Sequence, residues 1–155
     1  MAWYRSLSHY PYLFYHFVLH RDKPLLASFK LTYRCNLTCQ QCPFYSMRTA
    51  ERRFDQVLDV LERLYLRGNR LLVLEGGEPM LWKDGAYSIH DVVAAAQKKF
   101  FSVGMTTNGT LPLDVAVDTL WVSIDGLEAN HNTLREAQNF DRVIENIAMS
   151  QPPRL

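Results

Sequence analysis

Apolar residues recur along this chain in two periods, and their alternation predicts a regular order of elements. Over Leu25–Tyr33, Ala27, Phe29 and Leu31 alternate with Ser28, Lys30 and Thr32, the two-residue period of a strand. Phe54, Val57, Leu58, Leu61, Leu64 and Tyr65 instead share one side at helical spacing. Thr49 as N-cap, with Glu51 in the first turn, predicts that this helix opens there, and Gly68 suits its C′ position. Arg70–Leu74 is a short apolar run of the kind expected of a strand covered on both faces. Ser88-Ile89-His90-Asp91 has the form of a capping box, opening a helix through Val92, Val93, Ala96 and Lys99. Phe101–Met105 predicts a third strand, and a short connection through Leu113 and Val117 leads to a fourth, Leu120–Ile124. A last helix over Phe140–Met149 turns Phe140, Val143, Ile144 and Ile147 inward, and Pro152-Pro153 stops it. Strand-then-helix units of this kind imply a parallel α/β sheet, a (βα)4 arrangement, whose active site is expected at the carboxyl ends of the strands.

Composition changes this picture little. With 155 residues, 48% hydrophobic and 21% charged, the chain reads as one soluble globular domain. A net charge of +1 gives no electrostatic case for a nucleic-acid partner. No apolar run approaches the ~20 residues that span a bilayer. The aromatic residues 1–20 superficially imitate a signal peptide, but His16 interrupts the run, Pro11 precedes it and a small-residue cleavage site is missing. A short helix or pair of turns packed on the domain is the expectation. The alternative is an interfacial segment with Trp3, Tyr4, Tyr10 and Tyr12 at a membrane surface and Arg5, Arg21 and Lys23 facing headgroups. The expected division is a helical extension over 1–24, a core over 25–150 and a tail over 151–155.

The chemistry is concentrated in one stretch, Tyr33-Arg34-Cys35-Asn36-Leu37-Thr38-Cys39-Gln40-Gln41-Cys42-Pro43, which holds all three cysteines. Clustered, odd-numbered thiols suit metal binding in a reducing, cytoplasmic setting better than a secreted disulfide framework. Electron-transfer clusters and structural zinc sites close four ligands around the metal. Three thiolates with no fourth cysteine leave one position open for a small molecule. Each later strand also ends in small or polar residues: Glu75-Gly76-Gly77-Glu78-Pro79, Thr106-Thr107-Asn108-Gly109 and Ser123-Ile124-Asp125-Gly126. Taken alone these are ordinary turn and cap residues; their shared placement points to one site built from four loops.

The C-x3-C-x2-C spacing, with Asn36 after the first cysteine and GGEP, TTNG and SIDG segments in order, resembles the radical S-adenosylmethionine (radical SAM) superfamily. The resemblance implies a partial TIM barrel in which Cys35, Cys39 and Cys42 hold three irons of a [4Fe–4S] cluster and SAM chelates the fourth. It further implies that backbone around Gly76, Gly77 and Pro79 receives the SAM ammonium, with Glu78 orienting that loop. Thr106, Asn108, Ser123 and Asp125 are then assigned to the carboxylate and ribose. Gln41, where the family often carries an aromatic, is left to meet adenine through its backbone, with Phe44 or Tyr45 as packing face.

Residues Val122–Ile147, with His131, Arg135 and Phe140-Asp141, continue the likeness, although a solvated helix-end role is the plainer reading of Arg135. The implied activity is reductive cleavage of SAM to a 5′-deoxyadenosyl radical that abstracts hydrogen from an unknown substrate, fed by an external flavodoxin or ferredoxin. Only four of the family's six strands are present. The chain is then a fragment, pairs with another copy or a partner that completes the barrel, or covers its open edge with the aromatic N-terminus. Two further readings stay open: a half-barrel that binds cluster and SAM without independent turnover, and a zinc module completed by His90 or His131.

Overall fold

The computed structural model describes residues 3–19, 23–47 and 49–150, with side chains in the first helix from His9 onward. The elements are α1 (Trp3–Leu19), β1 (Leu26–Thr32), α2 (Phe54–Leu66), β2 (Leu71–Gly76), β3 (Lys83–Asp84), β4 (Tyr87–Ser88), α3 (Ile89–Gln97), β5 (Ser102–Thr107), β6 (Thr119–Val122), α4 (Glu128–Arg135) and α5 (Phe140–Met149). Strands β1, β2, β5 and β6 form one parallel sheet in that order, and β3–β4 is a small antiparallel hairpin.

Register explains the core. Ala27 and Phe29 stand beside Leu72 and Leu74, and these beside Val103 and Met105, so one face of the sheet is continuously apolar. Val57 and Leu61 of α2, and Ile89, Val92, Val93 and Ala96 of α3, are buried in the same core cluster. The other face is mixed. There Glu75 accepts hydrogen bonds from Ser28 and, at 3.0 Å, from Lys30, while Val73 is only half-buried. The expectation of a second strand covered on both faces is therefore corrected: one face of β2 is packed by helices and the other carries a polar pair. Trp121, 48% exposed on β6, lies over the space left by Gly104.

Several local expectations shift for identifiable reasons. α2 begins at Phe54, not Thr49, because its first amide is capped from outside: the Phe54 N–H donates to Asp84 of the β3–β4 hairpin at 2.7 Å, and Gln56 accepts from the Arg53 N–H at 3.0 Å. Sequence reasoning missed that hairpin, whose signal is the Asp84-Gly85 pair, with Gly85 at φ 57° in the turn. Glu51 instead pairs with Arg34 at 2.6 Å. Leu58 and Ile144, expected inward, lie on the exposed margins of α2 and α5. The Ser88 capping box forms, with Asp91 accepting from the Ser88 N–H at 2.8 Å.

The β5–β6 crossover has no helix, and a separate helix α4 precedes α5. Beside β6, the open edge, a groove of about 950 Å³ runs between residues 112–120 and the Asn146–Ser150 end of α5.

Helix α1 docks at the amino-terminal ends of the central strands β2 and β5. The Tyr12 hydroxyl donates to Gly68 O at 2.7 Å, His9 stacks on Phe101 at 3.8 Å, and Arg70 lies over the Tyr12 ring at 4.6 Å. Tyr12 thus packs against the domain, contrary to its placement at a membrane surface, while Tyr10 is exposed. Among the described residues no helix is long and apolar enough to cross a membrane. The expected contributions of Trp3, Tyr4, Arg5, Arg21 and residues 151–155 lie outside the described side chains.

Candidate functional site

The four strand ends meet on the cysteine loop. After β1 the chain continues beside the end of β2: the Gly77 N–H donates to Thr32 O and the Glu78 N–H to Arg34 O, both at 2.8 Å. This pairing is so close that no side chain fits. A Cβ on Gly76 would lie 2.1 Å from Thr32 O, and one on Gly77 2.3 Å from Arg34 O. The Gly-Gly pair therefore lets the GGEP segment lie directly against the backbone that leads into Cys35.

Glu78 ties this segment to the next strand end. Its carboxylate is fully buried and accepts hydrogen bonds from the Met80 N–H (3.1 Å), the Thr107 hydroxyl (2.9 Å) and the Asn108 N–H (2.7 Å). Burial pushes its pKa up, opposed by these donors and by the charge of Arg135. Pro79, also buried, starts a short 3-10 turn whose Met80 N–H is the amide that faces this carboxylate.

The β5 end is organised by its own amide. Asn108 Nδ2 donates to Asn36 Oδ1 at 2.8 Å and lies 3.7 Å from Cys35 Sγ, while Asn108 Oδ1 accepts from the Thr110 N–H (3.0 Å) and hydroxyl (2.7 Å). Asn36 Nδ2 in turn donates to Thr110 Oγ1 at 2.8 Å. The first cysteine is thus held against the third strand end by a closed polar network. Burial raises the Cys35 thiol pKa and the Glu78 carboxylate adds to this, while the Leu37 backbone and Asn108 oppose it.

At the fourth strand end, the Ser123 N–H extends the ladder to Thr107 O at 3.0 Å. Asp125 receives Arg135 Nε at 2.5 Å and Gln41 Nε2 at 3.4 Å. Arg135, its side chain 11% exposed, also lies 3.9 Å from Cys39 Sγ. It is not a solvated helix-end arginine; it bridges the second cysteine and the fourth strand. The Gln40 N–H donates to Leu134 O at 3.0 Å and the Thr38 hydroxyl to Glu136 at 3.1 Å, so the middle of the cysteine loop rests on the end of α4.

His131 is fully buried, with Nδ1 accepting from the Asp125 N–H at 3.3 Å and Nε2 bonded to Asn139 Oδ1 at 2.9 Å. Both its ring nitrogens are therefore occupied, Nδ1 by the SIDG turn and Nε2 by the residue that precedes α5. His90 is exposed and faces Asp114 at 3.8 Å.

Of the residues singled out from sequence, Cys35, Asn108 and Glu78 fall in one polar network, and Cys39, Gln41 and Asp125 around Arg135 in another. Thr106 is half-buried on the mixed face of the sheet, and Phe44 packs beside Tyr33 and under Lys30. Tyr45 is exposed and lines a cleft of about 500 Å³ with Tyr33, Arg34, Cys35 and Met47. Sequence reasoning missed the bridging parts of Asn36, Thr38, Thr107 and Thr110. Asn36 had been noted only as part of a motif, and the hydroxyls carry no distinguishing signal.

The donor set suits a multi-iron centre. The three thiols are free, sit on one loop, and two of them face nitrogen donors. Among the described residues no three His, Cys, Asp or Glu side chains converge on a single-ion point. Thiolates that each hold a different iron of a cluster need no such convergence. A parallel α/β sheet whose first strand end carries three thiols, met by a Gly-Gly-Glu loop and two polar strand ends, defines a class, and the sequence agrees.

The sequence model of the Radical SAM superfamily matches residues 29–151, and the chain belongs to that superfamily. It is 30% identical over 122 residues to the sporulation killing factor maturation protein SkfB of Bacillus subtilis, covering 72% of this chain and 29% of that protein. It is 28% identical over 139 residues to the AdoMet-dependent heme synthase of Methanosarcina barkeri, covering 81% of this chain and 39% of that one. The chain therefore spans well under half the length of these curated relatives. Among solved structures, SuiB of Streptococcus suis bound to S-adenosylmethionine superposes with a TM-score of 0.67 at 19% identity, over 90% of this chain and 33% of SuiB. anSMEcpe with bound AdoMet and the Cp18Cys peptide gives 0.62 at 22%, over 81% and 39%. These structural likenesses establish the shared parallel α/β fold of a partial barrel.

Proposed function

We propose that this chain is the cofactor-binding part of a radical SAM enzyme. In this reading Cys35, Cys39 and Cys42 ligate a [4Fe–4S] cluster whose fourth iron is left to SAM. Gly76, Gly77 and Pro79 supply close-approach backbone for the ammonium, with Glu78 fixing their loop. Thr106, Asn108, Ser123 and Asp125 meet the carboxylate and ribose, and Gln41 lies toward the adenine. When bound, the two cofactors supply one-electron cleavage of the sulfonium and hydrogen abstraction from a substrate. The chain's own residues position them: the Glu78 and Asn108 networks fix the GGEP and TTNG loops against Cys35, and α4 backs Cys39.

The observation that carries this reading is that loops from four separate strand ends are hydrogen-bonded into one patch around three free thiols. In this reading the electron is supplied by an external flavodoxin or ferredoxin. The relatives' names divide between maturation of a sporulation killing factor and synthesis of heme, so the reading stops at hydrogen abstraction. A second reading, a half-barrel that needs completion by a further segment or chain before it turns over, is favoured by the open β6 edge and the groove beside it.

Anaerobic reconstitution with iron and sulfide should give a brown protein carrying about four irons per chain. Dithionite and SAM should then release 5′-deoxyadenosine; cluster uptake without this product selects the second reading. A wild-type chain that takes up no iron, or a Cys39→Ser variant that keeps both cluster and product, refutes the ligand assignment.

A further inference from the structure

We propose that the Arg135–Asp125 pair is a charge clamp on the cysteine loop that sets the reduction potential of the centre held there. This rests on the cluster assignment above, but on no assumption about SAM or substrate.

Arg135 reaches Cys39 from outside the cysteine loop, out of α4, and its guanidinium is divided among three partners: Asp125 Oδ2 at 2.5 Å, Ser123 O at 3.4 Å and Cys39 Sγ at 3.9 Å. Its side chain is nearly covered, so its charge is weakly screened at short range. Two further contacts fix the geometry, Gln40 N–H to Leu134 O and Thr38 to Glu136, one residue to either side of Arg135. The guanidinium is thus held at the sulfur by the loop's own docking on α4. Asp125 holds the opposite charge in the same position and also receives Gln41.

Hydrogen bonds to cluster sulfurs and net local charge govern the potential of such centres. One-electron reduction adds negative charge, which a cation at Cys39 stabilises and an anion beside it opposes. The two members of the pair therefore push the midpoint in opposite directions, and the balance between them is the setting. Arg135 is a positioning and tuning residue; it is given no contact with substrate.

The test is spectroelectrochemical titration of the reconstituted cluster without SAM. Arg135→Gln should disfavour reduction by roughly tenfold, a midpoint lower by about 59 mV for one electron. Asp125→Asn should shift it the other way, and Arg135→Lys should restore most of the wild-type value. Arg142→Gln removes a positive charge from the exposed side of α5 and should leave the midpoint in place. Should Arg135→Gln fail to fold, the Asp125→Asn midpoint carries the decision: a rise above wild type supports the proposal, and an unchanged or lower value overturns it. Arg135→Gln and Asp125→Asn midpoints equal to wild type, or both shifted in the same direction, overturn the proposal. If the wild-type chain takes up no cluster, the cluster assignment itself has failed, a result distinct from unchanged midpoints.

Discussion

Gly77→Ala is the sharpest test of how the site is built. The added Cβ would sit 2.3 Å from Arg34 O, 2.7 Å from Arg34 C and 2.8 Å from Tyr33 O. All three are backbone atoms, so no side chain can swing aside; either the cysteine loop or the GGEP segment must move. That movement breaks or stretches two ladder bonds of 2.8 Å, Gly77 N–H to Thr32 O and Glu78 N–H to Arg34 O. Each contributes about 1 kcal/mol. Overpacking adds roughly 1–3 kcal/mol, for a total near 3–5 kcal/mol out of the ~5–15 typical of a domain. With a urea m-value of about 2 kcal/mol/M, the unfolding midpoint of the apo protein should fall by about 2 M. Gly104→Ala is the matched control. Its Cβ would meet Trp121 at 2.4 Å, but that ring is half-exposed on β6 and free to rotate outward, so its cost should be clearly smaller. A Gly77→Ala midpoint within about 0.5 M of wild type, or a Gly104→Ala loss as large, would refute the close-approach reasoning.

Glu78 makes a pH-dependent prediction. Burial raises its folded pKa above the unfolded value of 4.5. The folded state thus binds this proton more tightly, and Glu78's contribution to stability declines as pH rises from 4.5 through the folded pKa. Glu78→Gln should flatten that part of the stability–pH curve. At neutral pH it removes the buried charge but turns an NH₂ toward either the Met80 or the Asn108 N–H, at a cost of about 1–3 kcal/mol. An unchanged slope would show that Glu78 is not the titrating group. Asp84→Ala removes the external cap on Phe54 and should lower stability by about 1 kcal/mol, read by denaturant unfolding. A loss below a few tenths would mean that solvent caps α2 equally well.

Much of this protein was legible in one dimension. Strand periodicity around Phe29, the Ser88 box and the spacing of three cysteines are local signals, because each reflects backbone geometry or ligand reach over a few residues. They were enough to find the four strands of a parallel sheet and to place four polar strand ends at one rim. What tertiary structure alone decided are the links between segments distant in sequence. Arg135 reads as a surface residue until α4 lays it between Cys39 and Asp125. Thr49 reads as a cap until Asp84, 30 residues beyond Phe54, takes that role. Leu58 and Ile144 fit an apolar stripe, but how far each helix rolls onto its sheet is set by the partner's shape rather than by the stripe. Hydrogen-bond partners and burial are properties of pairs of segments, and a single segment's pattern holds only half of that information.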